Sequence, residues 1–202
     1  MYLYRGKGVS VLFLDRVKES RVIASIKEPR QLEEFVQTDI KAAFLLLGNL
    51  TVIKRYVDFL KSHDRDVFLH IEKIPGISYD REGLKFIARH VQPTGIVTTK
   101  SSLVTAAKKE GLIVIQRLFL IDSDALKNGL ESAEQVQPDF LELMPGVVPH
   151  LIDHVKKKTD IPIITGGLIQ NRRQMEKAIE RGATAVSTGR THLWKPLVEV
   201  VQ

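Results

Sequence analysis

The chain has 202 residues, 44% of them hydrophobic and 27% charged, the balance of a protein that folds around one well-buried core. It has no cysteine, which excludes disulfides, thiolate metal sites and cysteine nucleophiles, and no apolar run approaches the roughly 20 residues of a membrane helix. The net charge of +6 is concentrated at the start: residues 1–30 hold seven Lys/Arg against three Asp/Glu, and the remainder holds 23 against 21, so basicity by itself is weak support for nucleic-acid binding.

Arg5 and Lys7 precede a short apolar run at 9–14. The run is brief for a secretory leader, Asp15 and Arg16 follow at once, and no small-residue cleavage site is present. Residues 1–20 are read as an N-terminal extension, docked as a turn or strand, and the composition fits a cytoplasmic protein with no membrane segment.

From residue 21 the pattern changes to short apolar, β-branched runs alternating with amphipathic stretches. The first strand is 21–26, and Pro29 starts a helix through Leu32, Phe35 and Val36. The second strand is 42–47, closed by Gly48, and its helix carries Leu50, Ile53, Val57 and Leu60. The third is 66–72, followed by a Pro75-Gly76 turn and a helix through Leu84, Ile87, Ala88 and Val91. The fourth is 93–99, with Ser101 or Ser102 as helix cap and Gly111 as helix stop. The fifth is 112–119, with Ser123 as the next cap; the sixth is 138–145, before a helix through Leu151, Ile152 and Val155. The seventh and eighth, at 161–168 and 185–190, both end in glycine, and the helix between them carries Met175, Ala178 and Ile179 and stops at Gly182.

Strands that are apolar throughout, rather than alternating, are buried on both faces, which means a parallel sheet. Eight strand–helix units favour a closed (β/α)8 TIM-type barrel over an open doubly wound sheet. At this length some outer helices must be short. A single barrel domain over 21–202 follows, with no linker or second domain in the pattern.

In such a barrel, function sits at the C-terminal ends of the strands. Gly166, Gly167, Thr188 and Gly189 stand at the last two ends, where bare backbone N–H groups and a following helix favour a phosphate; tight turns are the alternative reading. His70, Glu72, Lys100, Arg117 and Glu142 stand at the ends of strands three to six. Charged groups in apolar strands need partners, so Glu72 or Glu142 either pairs with Lys100 or Arg117, or opens onto a ligand pocket that holds an anion and hydroxyls. His70 is read either as a hydrogen-bonded core histidine or as a pocket group. Lys100 is read either as a phosphate contact or as an exposed lysine at a helix start. Glu72 and Glu142 have the chemistry of a general acid and base or of ligands to a hard cation. No spacing typical of a metal site and no nucleophile–base pair accompanies them, so the sequence points to no catalytic or metal-binding set.

Five motifs occur in order: His-Ile-Glu-Lys-Ile-Pro-Gly at 70–76, Gly-Ile-Val-Thr-Thr-Lys-Ser-Ser at 95–102, Ile-Gln-Arg-Leu-Phe-Leu-Ile-Asp-Ser at 115–123, Leu-Glu-Leu-Met-Pro-Gly at 141–146 and Ile-Ile-Thr-Gly-Gly-Leu-Ile at 163–169. Together they closely resemble the glycerol uptake operon antiterminator regulatory proteins over about residues 22–194. The family often has aspartate at the position of Glu72, and its last phosphate loop, here Gly189 and Arg190, varies. The resemblance implies a regulator rather than an enzyme, one that senses glycerol 3-phosphate, needs no further cofactor, and acts on the leader mRNA of glycerol-utilisation genes to let transcription pass a terminator. It places the phosphate on the amides of Gly166, Gly167, Thr188 and Gly189, charge from Lys100 or Arg117, and the hydroxyls on Glu142, His70 or Glu72. Little aromatic content (6%) is present for base stacking. RNA would meet Arg/Lys of the outer surface or of the basic N-terminal segment through its phosphates, in a homo-oligomer that joins separate patches. A barrel lyase, isomerase or phosphodiesterase acting on a small phosphorylated substrate is the alternative.

Overall fold

The computed structural model describes residues 7–197. Eight parallel strands close in sequence order into one barrel: β1 (Val22–Ile26), β2 (Ala42–Leu45), β3 (Asp66–His70), β4 (Gly95–Thr98), β5 (Ile113–Phe119), β6 (Phe140–Met144), β7 (Ile163–Gly166) and β8 (Ala185–Thr188), with β8 returning to β1. The (β/α)8 architecture read from the alternation is the one observed. Nearly every strand residue is buried, because one face meets the barrel interior and the other meets the helices. The two faces give two apolar clusters. Ile23, Phe44, Phe68, Val97, Ile115, Phe140, Ile164 and Ala185 fill the interior. The alternate residues, such as Ala24, Leu69, Ile96, Val114, Leu141 and Val186, pack against the outer layer.

That layer is α2 (Arg30–Val36), α3 (Ile53–Ser62), α4 (Arg81–Phe86) with a π-helical continuation at Ile87–Val91, α5 (Ser101–Lys109), α6 (Ser123–Val136), α7 (His150–Lys156) and α8 (Arg172–Glu180). Among the described residues the unit after β8 has only a 3-10 turn, Thr191–Leu193. Two expected caps move by one residue. The cap of α5 is Lys100, with no side-chain bond. The cap of α6 is Asp122, whose carboxylate accepts from Ala125 N at 2.7 Å; an aspartate there serves as well as the serine after it.

The run at 9–14 is neither turn nor strand but part of a helix, α1 (Lys7–Ser20). Phe13 and Val17, four residues apart and so on one helical face, join the interior cluster. The Phe13 ring lies 4.6 Å from that of Phe68 and 5.1 Å from that of Phe140. Arg16 reaches Asp64 Oδ1 at 3.0 Å and Asp66 Oδ2 at 2.9 Å, and Asp66 opens β3. The helix therefore closes the N-terminal end of the barrel. The hydrogen bond from Arg16 holds the Asp64 carboxyl below its ordinary range, while burial pushes that of Asp66 up. Leu197 N donates to Ser20 O at 2.8 Å and ties the far end of the chain to this helix. Among the described residues no helix is long and apolar enough to cross a membrane.

Candidate functional site

With its floor closed by α1, the barrel opens at the C-terminal ends of the strands. The interior faces run out there onto polar groups. On β5, Ile113 and Ile115 are interior, and Arg117 continues their face. On β6 the face continues from Phe140 to Glu142, on β7 from Ile164 to Gly166, on β8 from Ala185 to Ser187, and on β3 from Phe68 to His70.

These residues form two groups. In the first, Arg117 Nε donates to Glu142 Oε2 at 2.6 Å and Ser187 Oγ donates to Oε1 at 2.7 Å. Glu142 is fully buried and Arg117 is 7% exposed, so the pair is desolvated and each charge depends on the other. The two terminal nitrogens of Arg117 have no hydrogen bond among the described residues. Gly166 is glycine for room: a Cβ there would sit 2.0 Å from Ser187 Oγ and 3.2 Å from Glu142 Oε1.

In the second group the chain leaves β3 at His70 and turns through a 3-10 helix, Ile71–Lys73. Glu72 is thus on a turn rather than on the strand where period-two reading put it. Its carboxylate still meets His70, with Oε2 2.9 Å from Nδ1, an ion-pair contact without the alignment of a hydrogen bond. Oε1 accepts from Thr98 Oγ1 at 2.5 Å and from Thr99 N at 3.1 Å. Burial alone would raise the Glu72 carboxyl, but the contacts from His70 and Thr98 outweigh it and bring it down to about 2. Glu72 is thereby committed to the β4–α5 turn. His70 is 3% exposed, and its Nε2 has no hydrogen bond among the described residues. Lys100 is exposed, its ammonium 4.5 Å from the centre of the Tyr79 ring. Among the described residues no hydrogen bond or ion pair joins this group to the first.

The two glycine loops lie side by side above β7 and β8. Gly167 has φ +79° and Leu168 φ +59°. Gly146 N, from the loop after β6, donates to Gly166 O at 2.5 Å and Gly167 O at 3.1 Å. In a trans peptide the N–H points opposite to the C=O, so the amides of Gly167 and Leu168 turn away from the β6 loop. The loops are joined by Arg190, whose Nε donates to Ile169 O at 3.2 Å. Thr188 O accepts from Trp194 Nε1 at 2.8 Å. A Cβ on Gly189 would lie 3.9 Å from Lys27 Nζ, so the end of β1 brings an ammonium over the second loop. The helix α8 begins only at Arg172, capped by Asn171, and so stands away from the first loop.

Sequence reading counts Ser187 and Lys27 among the polar residues at the strand ends without assigning them to the phosphate or the pocket, and leaves Tyr79 and Leu168 out. The parity of β8 carried a signal for Ser187, and the closure of β8 onto β1 for Lys27; Tyr79, in a loop, had none. Among the described residues no group of three or more His, Asp or Glu could hold a metal ion.

The model of a family described as glycerol-3-phosphate responsive antiterminators matches residues 22–194. The crystal structure of a glycerol uptake operon antiterminator regulatory protein from Listeria monocytogenes strain 4b F2365 is 32% identical, with a TM-score of 0.83 over 86% of this chain and 94% of that one. A glycerol uptake operon antiterminator-related protein from Thermotoga maritima MSB8 is 25% identical, with a TM-score of 0.78 over 87% of this chain and 98% of that one. The uncharacterized protein YgcP of Escherichia coli (strain K12) is 30% identical over 181 residues, 90% of this chain and 95% of that protein.

Proposed function

This chain belongs to the glycerol-3-phosphate responsive antiterminator family, and from that premise we propose that it binds glycerol 3-phosphate at the C-terminal mouth of the barrel and, when loaded, binds leader mRNA so that transcription passes a terminator. The observation that carries the ligand half is Arg117: a guanidinium 7% exposed, fixed by Nε on Glu142, with its terminal edge unengaged beside the β7 and β8 glycine ends. The phosphate lies on the amides around Gly166, Gly167, Thr188 and Gly189, with Arg117 and Lys27 supplying charge. His70 Nε2 takes a glycerol hydroxyl. Glu142 and Glu72 orient Arg117 and His70, and Lys100 flanks the mouth beside Tyr79.

The same contacts favour sensing over turnover. A general base needs a free, reachable lone pair; Glu72 and Glu142 each have both oxygens facing protein donors, which leaves His70 Nε2, and the proposal gives that nitrogen to a glycerol hydroxyl. Ligand that bridges the two loops orders them, which favours the RNA-competent state through its differential affinity for it.

Filter binding to leader RNA with and without glycerol 3-phosphate tests the proposal. Retention that rises with ligand is the expected result, and no retention under either condition refutes it. Release of product from glycerol 3-phosphate or its diesters, lost in Glu142→Gln, would establish the enzyme alternative instead.

A further inference from the structure

Six large apolar side chains are exposed among the described residues, and five of them, Leu50, Tyr79, Phe119, Ile121 and Leu168, stand at the C-terminal ends of the strands; the sixth, Leu12, is on α1. The outer wall, α2 to α8, carries none. Exposed apolar groups gathered on one face mark a surface that another molecule covers. The three most exposed of the five are neighbours: Phe119 and Ile121 at the end of β5 and Leu168 after β7. Phe119 lies opposite Met144 in the register of β5 and β6, and Met144 Cε lies 2.6 Å from where a Cβ on Gly167 would sit, so its side chain carries the patch across to the β7 loop. The residues between and beside them, Leu120 and Ile169, are buried, which turns their neighbours outward. Leu168 adds an independent sign. Its φ of +59° lies in the left-handed region, where a side chain is strained and glycine is at ease. Of the five non-glycine residues with positive φ among the described residues it is the only apolar one, and it is 70% exposed. Neither its backbone nor its burial within one chain favours leucine there, and strain of this kind is kept where function uses it.

The charges identify what covers the patch. The N-cap and first turn of α6 carry Asp122 and Asp124, and the first turn of α8 carries Arg172 and Arg173, all four exposed. Between them the loop after β6, residues 145–149, has no charge. Phe119 and Ile121 lie on the acidic side of that strip and Leu168 on the basic side. A polyanion laid across the patch would meet two carboxylates and be repelled. A second copy, turned about a two-fold axis through the β6 loop, offers each half its opposite: Leu168 meets Phe119 and Ile121, and the start of α8 meets the start of α6. A two-fold interface uses the same patch on both chains and so requires this self-complementarity.

We propose that two copies of this chain pair through the β5–β7 edge of the mouth, with the β6 loops at the two-fold axis, Leu168 of each copy seated between Phe119 and Ile121 of the other, and Arg173 of each facing Asp124 of the other. The dimer requires neither ligand nor RNA. It brings the two mouths side by side on one face of the assembly.

Sedimentation velocity of the full chain over a concentration series tests the pairing. Wild type sediments with the mass of two chains, and Leu168→Gly shifts toward one. Glycine relaxes the backbone at φ +59°, so association lost in that variant is not folding lost, and its circular dichroism spectrum stays that of wild type. Burial of each leucine is worth at least about tenfold in affinity, and the dimer buries two, so the dissociation constant rises at least about 100-fold. Asp124→Arg sets like charges against each other and weakens the dimer; adding Arg173→Asp to the same chain restores it, a rescue that only facing groups give. Leu12→Ser, at the opposite end of the barrel, sediments as wild type. A wild-type chain that stays monomeric throughout the series, a Leu168→Gly variant as dimeric as wild type, a charge swap that recovers nothing, or dissociation by Leu12→Ser overturns the interface.

Discussion

Replacing Glu142 with glutamine tests how the mouth is held together and what it is held for. The side chain is fully buried, accepts from Arg117 Nε at 2.6 Å and from Ser187 Oγ at 2.7 Å, and is the only carboxylate within ion-pair distance of Arg117 among the described residues. The amide keeps one acceptor but removes the charge that balances a guanidinium 7% exposed. Breaking a buried pair by neutralising one member costs roughly 3–5 kcal/mol, because the other charge is left uncompensated. The retained acceptor puts the expected cost near the lower end. For a chain of this length each kcal/mol moves the midpoint by about 2–4 °C, so the variant melts at least about 6 °C below wild type. An anion placed on the free edge of Arg117 then compensates the same charge. Stabilisation by saturating glycerol 3-phosphate is accordingly larger in Glu142→Gln than in wild type. Thermal unfolding followed by circular dichroism, with and without ligand, measures both effects, and a double-mutant cycle with Arg117→Gln isolates the coupling. A variant that melts within about 2 °C of wild type refutes the buried-pair argument. A ligand shift that is smaller than wild type's refutes the placement of the phosphate beside Arg117.

Gly167→Asp puts a side chain on a residue with φ +79°, 2.6 Å from Met144 Cε, and adds negative charge where the phosphate is expected; it abolishes ligand-induced thermal stabilisation, whereas Gly167→Ala, equally strained but uncharged, retains part of it. Phe13→Ala removes the ring between Phe68 and Phe140 and costs about 3–5 kcal/mol, read as a lower denaturant midpoint and faster hydrogen exchange at the start of β3. The Glu72 carboxyl falls from 4.5 to about 2 on folding. A depressed acid stabilises the fold fully above its unfolded value and loses that contribution as pH falls toward the folded one, so the difference in stability between wild type and Glu72→Gln is greatest near neutral pH and vanishes between pH 4.5 and about 2; a difference that does not change with pH over that window contradicts the hold of the Glu72 carboxylate on His70 and the β4–α5 turn.

The barrel was legible because its signal is local. Each strand is apolar throughout, each helix has its own face, and the glycine stops at Gly111 and Gly182 carry φ +81° and +95° as such stops do. What was illegible depends on residues distant in sequence. Gly166 was legible as a glycine, but its reason, the approach of Ser187 to Glu142, joins positions 45 apart. The helical state of residues 9–14 rests on Phe13 entering the barrel and on Arg16 finding Asp64, 48 positions away. Glu72 was grouped correctly with His70 for a reason that the fold replaces: the two meet through a turn, since the strand stops at His70.

The balance of donors and acceptors at the mouth argues for what kind of site it is. Its two buried-side carboxylates are spent inside the protein, Glu142 on Arg117 and Ser187, Glu72 on Thr98, Thr99 and His70. The groups left unengaged include donors and cations, the edge of Arg117, the ammonium of Lys27 and the amides of a loop turned away from the β6 side, together with His70 Nε2. Such a mouth attracts an anion, and its two carboxylates are turned from that anion toward the protein. Releasing either carboxylate costs the pairing that holds the strand ends in place. The contacts that stabilise this end of the barrel are therefore the same ones that, under the proposed function, fix Arg117 and His70 for the ligand.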